Sequence, residues 1–172
     1  MNNKIILQAW RFLILLLAQV LVFKQVQFSE EGWRYLHIFI YPLFTLLLPV
    51  KLQNSIVLIL SFLMGFLVDW FYDSPGVHAG SLVLTAYMRP FVLNVLEPYE
   101  GYNMNEVPDL KKFGIGWFST YLSVLLVIHL FTYFSLEAFS YVFIFDILMS
   151  TMITFAGSFI VILLVQYIFR GT

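Results

Sequence analysis

The chain has 172 residues, 61% hydrophobic and only 11% charged, with a formal net charge of −1 and a mean hydropathy of +0.89. So apolar a composition excludes a soluble globular domain of this length, and the near-neutral charge leaves no electrostatic footprint for nucleic acid. The absence of cysteine excludes disulfides, thiolate metal sites and cysteine nucleophiles.

A helix crosses the hydrocarbon core with about 20 mostly apolar residues. Six segments predict spans by that standard: 5–23, 35–50, 55–72, 79–96, 115–134 and 139–169. They make one all-α integral membrane domain over residues 1–172. The first apolar run is longer than a signal-peptide core, and no small-residue cleavage pattern follows it, so it predicts an uncleaved span. Pro42 and Pro49 interrupt the second span. A span pair with re-entrant segments is the alternative there. The last segment is long enough for its first turns, including Asp146, to lie along the interface.

The connections are short except for residues 97–112, EPYEGYNMNEVPDLKK, which hold most of the soluble-type side chains. Lysine and arginine set the orientation. Lys4, Arg11, Lys51, Lys111, Lys112 and Arg170 flank one side, and only Lys24 and Arg34 the other, which predicts cytoplasmic termini. The outer loops then carry Glu30, Glu31, Asp73, His78 and Glu137. Trp10, Trp33, Trp70 and Trp117 fall near span ends, as an interfacial belt requires.

The polar constellation centres on residues 61–90, SFLMGFLVDWFYDSPGVHAGSLVLTAYMRP, which predict two antiparallel helices joined by a turn at Pro75 and Gly76. Ser61, Gly65, Asp69 and Asp73 recur every four residues and form a small, polar face on which another helix can pack. The plain reading of Asp69 is a hydrogen-bonding group between helices. Ser81, Thr85 and Arg89 repeat the spacing in the next helix. At 1.5 Å per residue, Asp69 comes level with Leu82 and Arg89 lies roughly 10 Å deeper, so no direct salt bridge is predicted. Arg89 is expected instead to bond carbonyls freed by Pro90, to pair with Asn94 or another helix, or to reach the interface. His129 and Asp146 approach Asp69 if the helices cluster, but two carboxylates and one histidine make a weak metal-ligand set. Arg11 is placed to snorkel to headgroups, and Gln19 and Gln166 to hydrogen-bond between helices.

Catalytic patterns are incomplete. Gly65, Asp69 and Asp73 match half of the CDP-alcohol phosphotransferase motif, but Lys51, Leu52, Ser55 and Ile56 stand where the other half needs Asp, Gly, Ala and Arg. An intramembrane serine protease lacks its GxSG serine beside His129, and an aspartyl protease lacks the YD and GxGD contexts, since Asp69 follows Val68 and Asp146 follows Phe145. No enzyme, cofactor or metal site is therefore expected.

Gly65, Asp69, Gly76, Ala79 and Tyr87, within a glycine–aspartate span end, a short turn and a span that begins His-Ala, resemble the MreD family of rod shape-determining membrane proteins, in its Bacteroidetes-type form. The resemblance implies a non-enzymatic scaffold in the bacterial inner membrane. It would join MreC, and through it the MreB filament, RodA and a penicillin-binding transpeptidase, in guiding peptidoglycan synthesis. It also implies a fold like the S components of energy-coupling-factor transporters, whose function, small-molecule binding near Asp69, His129 and Asp146, is the alternative. The AxxxA-like coupling face of those proteins is absent, as Ala9 and Ala18 show.

Overall fold

A computed structural model describes residues 2–25, 36–103 and 106–168. The expectations for Glu30, Glu31, Trp33, Arg34 and Arg170 lie outside the described residues. The chain is helical, in the order α1 (Asn2–Ala18), α2 (Pro42–Leu46), α3 (Asn54–Tyr72), α4 (Val77–Val95), α5 (Leu110–Ala138) and α6 (Ile144–Ile168). A π-helical turn, Gln19–Phe23, extends α1, and a 3-10 turn, Tyr141–Phe143, leads into α6. Ile6–Phe23, α3, α5 and α6 are long and apolar enough to cross a membrane, which marks a multi-pass membrane protein. The nineteen-residue α4 is not among these four; it carries His78, Ser81, Thr85, Arg89 and Asn94.

The predicted second span is not a membrane-length helix. Residues 36–41 are non-helical, and α2 is a single short helix of five residues. Proline explains both limits. Pro42 occupies the first helical position, where its missing N–H costs nothing, and Pro49 cannot continue the helix. Irregular backbone at membrane depth is tolerated only where protein buries it. Here it is the centre of the molecule: Phe39 through Leu48 are all buried.

The helices line up around this segment in a fixed sense. His37 and Phe39 meet Thr154 and Ser158, so the segment runs parallel to α6. Phe44 packs edge-on against Phe12, whereas Gln19 meets Ile40, so α1 runs antiparallel to it. Tyr41 meets His129 and Leu46 meets Tyr121, so α5 is antiparallel as well. The start of α1, the Val50 region and the 97–109 connection therefore share one end of the bundle, the loop end, and the α3–α4 turn marks the other, the hairpin end.

Two backbone devices set the helix ends that matter. Asp73, at φ 53°, closes α3 in the left-handed region, and Gly76, at φ 83°, opens α4. Gly114, at φ 79° and ψ 170°, bends the start of α5, a conformation that favours glycine.

Candidate functional site

The hairpin brings Asp69 to the beginning of α4. Its Oδ1 accepts from the backbone N–H of His78 at 2.9 Å, from Ser74 Oγ at 2.8 Å and from His78 Nδ1 at 3.0 Å, while Oδ2 accepts from the N–H of Ala79 at 2.9 Å. The first N–H groups of a helix have no partner within it, and the helix dipole favours an anion there. Asp69 is thus a capping group supplied by the preceding helix.

A close helix contact makes this possible. A Cβ on Gly65 would stand 2.5 Å from the Cα of Ala79 and 2.8 Å from its nitrogen, so only glycine lets α3 come this near. The register differs from the sequence expectation. Gly65 lies beside Ala79, and Asp69 faces the open start of α4 rather than Leu82.

Two further expectations are corrected here. Asp73 does not continue the Ser61, Gly65 and Asp69 face: the helix has ended, the residue is left-handed, and its side chain is exposed. His78 is not a loop residue; it is completely buried and bonded to Asp69. Rings of Tyr133, Tyr72, Tyr41 and Phe39 surround it at centroid distances of 4.8, 4.9, 5.6 and 5.8 Å, and its Nε2 has no hydrogen-bond partner among the described residues.

Arg89 forms a second constellation at the loop end. Its Nη2 donates to the carbonyls of Leu48 and Pro49, and its Nε donates to Tyr121 Oη, which in turn donates to Leu46 O at 3.0 Å. The carbonyls that it satisfies belong to the central segment, not to the turn freed by Pro90. Asp69 and Arg89 serve different groups. Gln19 completes the pattern near the hairpin end: Oε1 accepts from Ile40 N at 2.8 Å, and Nε2 donates to Ile38 O at 3.1 Å and to Tyr72 Oη at 2.8 Å. Ser61 pairs with Thr45 at 2.8 Å.

His129, fully buried, pairs through Nε2 with Tyr41 Oη at 2.7 Å and through Nδ1 with Thr85 Oγ1 at 3.2 Å. Asp146 lies elsewhere, in a cleft of about 250 Å³ with Glu137, Phe143 and Ser150. The structure therefore does not gather Asp69, His129 and Asp146 around one pocket, and Phe39–Leu48 fill the space between the helices. Among the described residues, no three histidine, aspartate or glutamate side chains form a possible metal-ligand group. A shallow cleft of about 640 Å³ does open on the outside of the hairpin, lined by Phe66, Asp69, Trp70, Asp73, Ser74, Pro75 and Gly76.

The connection 97–109 is folded at its described residues. Glu106 accepts from the side chain and backbone of Asn103, at 2.8 and 2.9 Å, and pairs with Lys112 at 3.0 Å. These bonds hold its carboxyl down at about 2. Tyr102 is buried, donates to Leu93 O at 2.9 Å, and has its phenol pushed up to about 12 by desolvation first and by Glu97 next. Backbone pairing of Val50 N with Glu106 O at 2.8 Å ties this connection to the central segment.

Sequence reasoning overlooked His78, Tyr41, Tyr121, Thr154 and Ser158 as partners. The available signal was the pair of prolines: a broken segment inside an apolar bundle demands donors and acceptors from the helices around it. No protein-family model, curated protein or solved structure matches the chain.

Proposed function

We propose that this protein is a non-enzymatic scaffold of the bacterial elongation complex, a six-span protein of the inner membrane with both termini in the cytoplasm. Its partner would be MreC, and through MreC the MreB filament, RodA and the penicillin-binding transpeptidase. The observation that carries this reading is the hairpin. Gly65, Asp69, Gly76 and Ala79, four of the five positions on which the MreD resemblance rests, form one lock between α3 and α4. The fifth, Tyr87, is exposed on α4.

The polar side chains deep in the bundle also support a scaffold. Asp69, Gln19, Arg89, Tyr121, Thr154 and Ser158 each bond backbone groups of the chain itself. Such groups fix a shape, and a fixed shape with apolar outer faces suits the recognition of membrane helices.

The test is co-purification from native membranes in mild detergent. Recovery of a single-pass MreC-type protein with the wild-type chain, and rod-shape restoration in cells depleted of the native gene product, is the expected result. Recovery of an ATPase and a coupling subunit instead would overturn the scaffold reading. Single cysteines introduced into the cysteine-free chain at residues 2 and 172, probed from each side with an impermeant thiol reagent, test the cytoplasmic placement of both termini.

A further inference from the structure

The outer side of the α3–α4 hairpin carries a group that the fold does not use. Asp73 ends α3 in the left-handed region at φ 53°, and its carboxylate meets no partner among the described residues. It stands at a helix C-terminus, where the dipole disfavours an anion. Two local features therefore run against this residue: the dipole and the lack of a partner among the described residues. Lys24, at the same end, is engaged elsewhere: it donates to Phe71 O and lies 5.4 Å over the Tyr72 ring. Rules broken locally without compensation inside the fold point outward, to a ligand.

The surroundings specify its chemistry. Asp73 borders the 640 Å³ cleft whose wall is Phe66 and Trp70, and Trp70 is 73% exposed. A carboxylate beside an exposed indole suits an ammonium or guanidinium group. Below the cleft, Phe62, Phe66 and Trp70 form an exposed ladder at four-residue spacing, with the Phe62 and Phe66 rings stacked at 5.9 Å. That ladder is about 12 Å long at 1.5 Å per residue and offers the ridge that a second helix packs against.

We infer that this face docks the membrane helix of a partner, with its apolar side on Phe62, Phe66 and Trp70 and a lysine or arginine at its end seated between Trp70 and Asp73. The inference rests on the scaffold reading and names the docking point for it. Charge complementarity at one end fixes the depth of the partner helix, and the aromatic ladder fixes its direction.

The experiment uses the full chain in phosphatidylcholine nanodiscs, with a dye on a single cysteine introduced at residue 172. The probe is a synthetic leucine–alanine helix, labelled for energy transfer, with lysine at the flank that reaches the hairpin end. Expected is tighter binding of the lysine-flanked probe than of its glutamine-flanked analogue, by about tenfold. Asp73→Asn, which keeps a side chain tolerant of the left-handed region, removes that preference, and Asp73→Lys reverses it in favour of a glutamate-flanked probe. Circular dichroism of each variant verifies the fold. An unchanged preference in Asp73→Asn overturns the inference, as does full release of the lysine probe by phosphatidylethanolamine, which would assign the cleft to a lipid ammonium group. If Asp73→Lys still retains the native single-pass partner, the scaffold reading stands and this docking point falls. If the wild-type chain retains no such partner while the charge preference holds, the scaffold reading falls and the cation site remains.

Discussion

Asp69 Oδ2 accepts the backbone N–H of Ala79 at 2.9 Å, so a carboxylate from one helix closes the N-terminus of the next. The same carboxylate takes the N–H of His78, its Nδ1 and Ser74 Oγ. Replacing it strands several donors at once. Asp69→Leu is expected to lower stability by about 3–5 kcal/mol, combining a lost cap with unsatisfied buried groups. Asp69→Asn keeps one acceptor oxygen and costs less. Equilibrium unfolding in mild detergent, followed by circular dichroism, distinguishes the two; equal stability of all three proteins would refute the capping role.

The Gly65–Ala79 approach is a second dependency. A methyl group at Gly65 collides with backbone, which has no rotamer to yield. Gly65→Ala is expected to cost about 1–3 kcal/mol by overpacking and to separate α3 from α4. Equilibrium unfolding in mild detergent measures the loss, and a stability equal to that of the glycine-bearing parent would argue against it.

Arg89 is expected to resist conservative replacement. Its guanidinium reaches two carbonyls and the Tyr121 hydroxyl together. An ammonium has no such planar fork. Arg89→Lys is expected to destabilise by about 1–3 kcal/mol and Arg89→Met by more, because orphaned buried carbonyls lose their donors. Thermal unfolding of the two variants against the parent provides the comparison, and a Met variant at least as stable as the Lys variant would contradict this ordering.

Gln19 serves as both donor and acceptor for the central segment. Gln19→Glu retains an acceptor for Ile40 N–H but loses the amide donors to Ile38 O and Tyr72 Oη, whereas Gln19→Leu loses both. The leucine variant is expected to lose about 2–4 kcal/mol and to expose the amides of residues 38–41 to exchange. Hydrogen–deuterium exchange that remains unaltered there would count against a bracing role.

The Glu106 carboxylate gives a pH prediction for the loop end. Its folded value, about 2, lies below the ordinary 4.5, so its contribution is present above about 4.5 and is lost as pH falls toward 2. The amide resonance of Asn103, which donates to Glu106 Oε2, is expected to titrate with a midpoint near 2. A midpoint at 4.5 would show that the loop bonds do not hold in solution. Glu106→Gln should abolish the transition.

Much of the architecture was legible in composition. Long apolar runs identified membrane-length helices, and the α3 and α4 boundaries fell within a few residues of 55–72 and 79–96. Hydrophobic periodicity carries that information locally. It also placed Ser61, Gly65 and Asp69 on a buried face. The expected end of α3 at Tyr72 agrees with the structure, but four-residue spacing alone groups Asp73 with a face that the chain leaves at that helix end.

What the sequence determined by itself is a bundle of apolar helices with a few polar groups held away from lipid, because hydrophobicity and helix period are properties of neighbouring residues. Only the tertiary structure decided what those groups bond. The Pro42 and Pro49 segment becomes an irregular core whose N–H and C=O groups draw Gln19, Arg89, Tyr121, Thr154 and Ser158 from four helices. Those partners lie far apart in the chain. Which of them meet is fixed by helix register and by the need to satisfy every buried backbone group.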